Sequence, residues 1–107
     1  MGIVQYEIVL VNLDPTIGSE IKKTRPCVVI SPDEINRNLQ TIVIAPMTTN
    51  LKNYPTRVKV NFKKKEGRIV IDQLRTIDNR RIIKSLGKIS TAEIKEVKRI
   101  IHITYVE

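Results

Sequence analysis

Apolar residues along this chain follow two rhythms. Residues 6–13, "YEIVLVNL", are apolar on both alternating faces, the pattern of a central strand. Residues 25–31 and 41–46 are short apolar runs that read as buried strands, and "PDEINRN" between them has room for one helical turn. In 57–63, "RVKVNFK", Val58, Val60 and Phe62 face one way while Arg57, Lys59, Asn61 and Lys63 face the other, which predicts a half-buried strand with a cationic outer face. "KKKEG" (63–67) reads as a turn and "RIVIDQL" (68–74) as the returning strand. Polar loops are predicted at 14–24, opened by Asp-Pro and carrying Gly18, and at 48–56. Residues 75–90 are mixed.

From Ser90 the period changes to 3.6. Ser90 and Glu93 have the spacing of a capping box. Ile94, Val97, Ile100 and Ile101 then form one stripe, with Lys95, Lys98, Arg99 and His102 towards the polar flank. The prediction is α+β: a small, strongly bent, mostly antiparallel sheet or barrel with a C-terminal amphipathic helix covering it.

Composition adds limits. A chain of 107 residues with 41% hydrophobic residues suits a single domain over 1–107 with one core. With no Trp and one Phe, that core is mostly Ile, Val and Leu, and the β-branched share favours strands. Cys27, the lone cysteine, has no internal disulfide partner and reads as a small core residue, which fits a reducing, cytoplasmic setting. The first residues lack a basic leader region and carry Glu7 and Asp14, so no signal peptide is expected. No run approaches the ~20 apolar residues of a membrane span.

Charge changes the picture more. Residues 1–53 carry five basic and five acidic residues, whereas 54–107 carry fourteen and six, so the whole formal excess of +8 lies in the second half. One-sided basic charge is an electrostatic footprint for nucleic acid; the plainer reading is a merely soluble surface.

The candidate chemistry is narrowed by what is missing. His102 is the only histidine, which excludes two-histidine ribonuclease chemistry, and Cys27 has no histidine near it in sequence. There is no GxSxG, P-loop or GxGxxG, and the scattered acidic residues point to no metal and no cofactor. Asp72 and Asp78 meet Asp14 or Glu20 only if the fold brings them together. What remains is cation and hydroxyl chemistry in loops: Thr16, Ser19, Glu20, Thr24 and Arg25 in one, Thr48, Thr49, Asn50 and Tyr54 in the other. Such groups bind phosphate, and an Arg fork can take two phosphate oxygens. RNA supplies its own nucleophile, the 2′-hydroxyl, so a protein that positions it and stabilises the phosphorane needs little else. The alternatives are a solvated strand-end arginine and ordinary turn hydroxyls.

Five collinear blocks, "LVNLDPTIGSE" (10–20), "RPCVVISP" (25–32), "IVIAPMTT" (42–49), "YPTRV" (54–58) and "IDQLRTID" (71–78), resemble the MazF/PemK (Kid) family of toxin endoribonucleases over nearly the whole chain. The resemblance implies an SH3-like barrel with a C-terminal helix and a homodimer. It also implies metal-independent, sequence-specific cleavage of single-stranded mRNA, and inhibition by a cognate antitoxin. In the chromosomal MazF type the "RP" arginine and the first threonine after the third strand are the catalytic pair, which match Arg25 and Thr48. Arg25 would stabilise transition-state charge, since a guanidinium holds its proton too tightly to be a good formal base. Thr48 would hold the scissile phosphate, with Thr49 and Asn50 beside it. Gly18, Ser19 and Glu20 match a mobile substrate loop. The plasmid Kid type assigns catalysis to a His, an Arg and an Asp, and those positions hold Ser19, Val70 and Asp72; this favours the Arg25/Thr48 scheme, with Asp72 and Gln73 as substrate-contacting neighbours. Many members have Gln and Gly after "GSE", whereas this chain has Ile21-Lys22-Lys23, so Lys22 and Lys23 are expected to attract phosphate.

Two other readings share the scaffold. Related CcdB-type toxins bind DNA gyrase without cutting RNA, and a plain nucleic-acid-binding barrel would use stacking aromatics, of which this chain has few.

Overall fold

The computed structural model describes residues 2–13 and 23–106. β1 (Glu7–Asn12), β2 (Thr24–Val29) and β3 (Thr41–Thr48) are antiparallel neighbours, and a short helix, α1 (Asp33–Asn38), joins the last two. β4 (Arg57–Phe62) and β5 (Lys65–Val70) form a hairpin. β6 (Arg75–Asp78) pairs with β3, and β7 (Ile82–Lys88) returns to pair with β1. The order across the sheet is β4-β5-β3-β2-β1-β7, curled into a half-barrel, and α2 (Thr91–Ile101) closes one side.

The alternation of side chains across strands gives this sheet two buried faces. Ile8, Val28, Ala45 and Met47 join Val58, Val60, Ile69 and Ile71 in one cluster, sealed by Val97 and Ile100 of α2. Val9, Val11 and Leu13 join Cys27, Val29, Ile42, Ile44 and Ile77 in the other. Each such side chain withdrawn from water contributes about 1.5–3 kcal/mol. β1 is apolar on both faces because it feeds both clusters.

β3 makes the bend. Its first part pairs with β2 through Cys27↔Pro46, Val28↔Ala45 and Val29↔Ile44, and with β6 through residues 41–44. Its last two residues instead pair with β5, Met47↔Ile69 and Thr48↔Arg68. Past the Cys27↔Pro46 rung the strands separate. Pro26 and Pro46, which lack the N–H that a continued ladder would use, flank the opening.

The expected elements are found, with shifted limits. β3 runs two residues beyond 46, so Thr48 ends a strand instead of opening a loop. The predicted turn at 63–67 shrinks to Lys63 and Lys64, both at positive φ, and Lys65–Val70 is already the returning strand. That strand stops at Val70, where Ile71–Gln73 coils into a 3-10 turn that carries Asp72 and Gln73 out of the sheet. Arg57 does not stand on an open cationic face: its side chain is only 14% exposed. The mixed stretch resolves into β6, a 3-10 turn at Asn79–Arg81 and β7.

The capping box forms as predicted. Glu93 N–H donates to Ser90 Oγ at 3.1 Å, and Ser90 N–H to Glu93 Oε1 at 2.8 Å. Beyond Ile101 the chain widens into a π-helical turn, His102–Val106, pinned by the Tyr105 hydroxyl donating to the Ile71 carbonyl at 2.6 Å. No described helix is long and apolar enough to cross a membrane.

Candidate active site

Where β2 and β3 part, the sheet opens into a cleft of about 240 Å³. Arg25, Pro26, Met47, Thr48 and Thr49 line one side of it, and the β4–β5 hairpin lines the other. Carrying the Cys27↔Pro46 register two residues further sets Arg25 opposite Thr48. Both are half-buried, at strand ends fixed by Val28, Val29, Ile44 and Ala45 in the core behind them.

The threonine is held from two directions. Asn50 N–H donates to Thr48 Oγ1 at 3.2 Å, so the hydroxyl oxygen accepts from the loop while its proton can be given to a ligand. Lys52 N–H then donates to Asn50 Oδ1 at 3.1 Å, which folds the loop back. From beneath, Arg68 ties hairpin to loop. Its side chain, 8% exposed, donates from Nη1 to Glu66 Oε2 at 2.8 Å and to the Gly67 carbonyl at 3.0 Å, and from Nη2 to Asn53 Oδ1 at 2.9 Å. That bond to Arg68 holds the Glu66 carboxyl below the usual carboxylate range.

Asp72 and Gln73 are not in this cleft. They line a second hollow of about 290 Å³ with Leu13, Ile44, Pro46, Leu74 and Arg75. This hollow takes Ile44 and Pro46 from β3, whereas the cleft takes Met47 and Thr48 from the end of the same strand. Thr56 Oγ1–H donates to Asp72 Oδ1 at 2.9 Å, and Arg57 Nε stands 3.7 Å from the same oxygen, its guanidinium carbon 4.6 Å from the Tyr54 ring centroid. Arg75 donates from Nη1 to the Leu13 carbonyl at 3.0 Å. Val70 is fully buried and takes no part in either hollow. Asp78 faces Arg80, which donates to it from the backbone and side chain and lowers its carboxyl, and Asp72 and Asp78 form no group of three potential metal ligands among the described residues.

Cys27 lies between these places. Burial pushes its thiol up to about 12, with Arg75 and then Arg25 opposing the shift. A thiol so placed is a core residue, not a nucleophile. Gly18, Ser19, Glu20 and Lys22 lie outside the described residues. Lys23, at positive φ, closes the stem of that loop, its carbonyl accepting from Leu13 N–H at 2.9 Å.

The family described as PemK-like, MazF-like toxin of type II toxin-antitoxin system matches residues 4–105. The chain belongs to this toxin family. A protein named endoribonuclease MazF, from Staphylococcus saprophyticus, is 33% identical over 104 residues, covering 92% of this chain and 87% of its own length. The fold is that of MazF from Deinococcus radiodurans, with a TM-score of 0.88 at 24% identity over 100% of this chain and 99% of that one. A mycobacterial endoribonuclease in complex with its cognate antitoxin has the same fold, with a TM-score of 0.80 at 17% identity over 94% and 91%.

Some parts of the toxin's cleft carry little signal in the sequence. Arg68 reads as one of many surface cations, and its side chain is held by Asn53, fifteen residues away, as well as by Glu66 on its own strand. Phe62, Lys63 and Lys65 show as alternation in a hairpin, with nothing to place them opposite Arg25.

Proposed function

We propose that this toxin is an endoribonuclease that cuts single-stranded mRNA at short sequences without a metal ion, using the substrate's 2′-hydroxyl as nucleophile. The observation that carries the reading is that Arg25 and Thr48 line one cleft at the open end of β2 and β3. A phosphate seated there meets a guanidinium fork and a threonine hydroxyl. Arg25 neutralises the charge that grows on the non-bridging oxygens as the 2′-oxygen attacks, and the Thr48 hydroxyl donates to one of them. The 2′-hydroxyl gives its proton to solvent as it attacks, the bond to the 5′-oxygen then breaks, and that oxygen takes a proton from water, leaving a 2′,3′-cyclic phosphate and a 5′-hydroxyl. Thr49 and Asn50 border the phosphate, and Gly18, Ser19, Glu20, Lys22 and Lys23 act as the substrate loop.

Asp72 and Gln73, in the second hollow, contact bases further along the RNA strand. The kinship with toxins solved with their antitoxins supports a cognate antitoxin partner, whose acidic segment would compete for the same basic surface. We read the working form as a homodimer, in keeping with the toxin family.

The test is incubation of the purified protein with mixed-sequence RNA in excess EDTA, with mapping of the ends. Cleavage to cyclic-phosphate ends, with a DNA strand of the same sequence left intact, is expected. Strict dependence on added Mg²⁺ or Mn²⁺ would overturn the mechanism.

A further inference from the structure

The cleft does not end at Arg25 and Thr48. Its far wall is the tip of the β4–β5 hairpin, where Phe62, Lys63 and Lys65 line the same space. The hairpin closes on the Phe62↔Lys65 pair, so its loop is two residues long, and both have left-handed backbones, Lys63 at φ 51 and Lys64 at φ 63. Turns of this kind favour Asn-Gly, because a Cβ at positive φ crowds the backbone. The tip thus carries ammonium groups where an uncharged pair would turn more easily.

Among the described residues, no carboxylate forms an ion pair with those charges. Glu66, the acidic residue on this rim, is engaged by Arg68 at 2.8 Å. Phe62 is half-buried against the core, and Lys63 Nζ sits 5.3 Å from its ring centroid. An aromatic ring among cations, next to a phosphate-binding arginine, is the make-up of a single-strand stacking site. A cleft of about 240 Å³ is smaller than the ~300–1,000 Å³ of pockets for drug-sized molecules and suits a single ring system.

We propose that the hairpin tip is a nucleotide subsite for single-stranded RNA, in which a base stacks on Phe62 while Lys63 and Lys65 hold the adjoining phosphate. On binding, the Lys63 ammonium leaves the ring and turns to that phosphate. The proposal rests on reading Arg25 and Thr48 as the RNA-cutting pair, which sets the stacked base within a nucleotide or two of the scissile bond.

The probe is an oligoribonucleotide with a single 2′-deoxy at the scissile position, so that it stays uncut, and 2-aminopurine at successive positions. Binding to the native protein should quench one position beside the scissile phosphate. Phe62→Leu keeps apolar bulk on the core but removes the ring. It should abolish that quench and weaken binding on the order of tenfold. Lys63→Gln with Lys65→Gln leaves Phe62 in place, should melt with the native protein, and should flatten the log–log salt dependence by ~0.7 for each phosphate that is no longer neutralised.

Unchanged quenching in Phe62→Leu, or an unchanged salt slope in the double variant, overturns the subsite. So does loss of affinity for an acidic peptide with RNA affinity intact, which would make the tip a protein-docking surface. If the native protein binds no RNA at all, it is the cleavage reading that falls.

Discussion

Arg25 and Thr48 stand opposite each other two residues past the last β2–β3 rung, Cys27↔Pro46. They form a pair across a ladder that has stopped. The β2–β3 pairing ends at that rung, the last two residues of β3 pair with β5, and both Arg25 and Thr48 line the cleft at that end.

The first prediction concerns that pair. Arg25→Ala and Thr48→Ala should each slow RNA cleavage on the order of 100-fold or more, the usual cost of one preorganised donor. Neither side chain is core, so thermal melts should stay close to native. Full activity in a folded variant would remove that residue from the mechanism.

Gly67 offers a subtler test. A Cβ there would lie 2.9 Å from the Thr48 carbonyl oxygen, and that oxygen is backbone. Gly67→Ala should push the end of β3 away from the hairpin and cut the turnover rate by more than tenfold. RNA affinity, measured with uncleavable substrate, should change much less, since Arg25 and the lysines are untouched. Native turnover would show that the position of Thr48 does not limit the reaction.

Arg68 should act through the loop it holds. Asn53→Ala deletes one of its bonds, a loss of about 1.5–3 kcal/mol at most for a bond to a charged group, and should loosen loop 48–56. Hydrogen exchange at Asn50 and Lys52, whose N–H groups close that loop, should speed up. Arg68→Met should lower the melting temperature further, because Glu66 then loses its partner. Unchanged exchange in Asn53→Ala would contradict the tether.

A fourth prediction follows from Cys27. Its folded thiol is pushed from 9.0 to about 12 by burial, so the native state holds the proton more tightly than the unfolded chain. The stability this thiol contributes is complete below the unfolded value and is lost as pH rises towards the folded one. By about pH 10.5 the loss amounts to roughly 2 kcal/mol. Denaturant midpoints of native protein and Cys27→Ala should converge between pH 8 and about pH 10.5, the variant being free of this loss. Parallel curves would show that the thiol does not titrate between the two states.

The proposed role of Lys22 and Lys23 is to attract phosphate as flexible point charges. Changing both to Gly should weaken binding of cleavable and scrambled RNA alike, lower the salt slope by ~0.7 for each phosphate released, and leave the cleavage motif unchanged. An altered motif at constant slope would assign base reading to the loop.

The local pattern of this chain was enough to determine its elements. Short apolar runs marked β1, β2, β3 and β5, strict alternation marked β4, the shift to period 3.6 at Ser90 marked α2, and the Ser90–Glu93 spacing made a cap, because each depends on side chains a few residues apart. The family blocks named Arg25 and Thr48. Tertiary structure decided which groups share a cavity. Asp72 meets Thr56 and Arg57, but the 3-10 turn at Ile71–Gln73 carries it and Gln73 into a hollow separate from the cleft of Arg25 and Thr48. Phe62, Lys63 and Lys65 are some forty residues from Arg25 and line the same cleft because β3 pairs with both β2 and β5. Pairing partners are chosen by how two buried faces close on each other, a property of the whole sheet, so no window of sequence contains it.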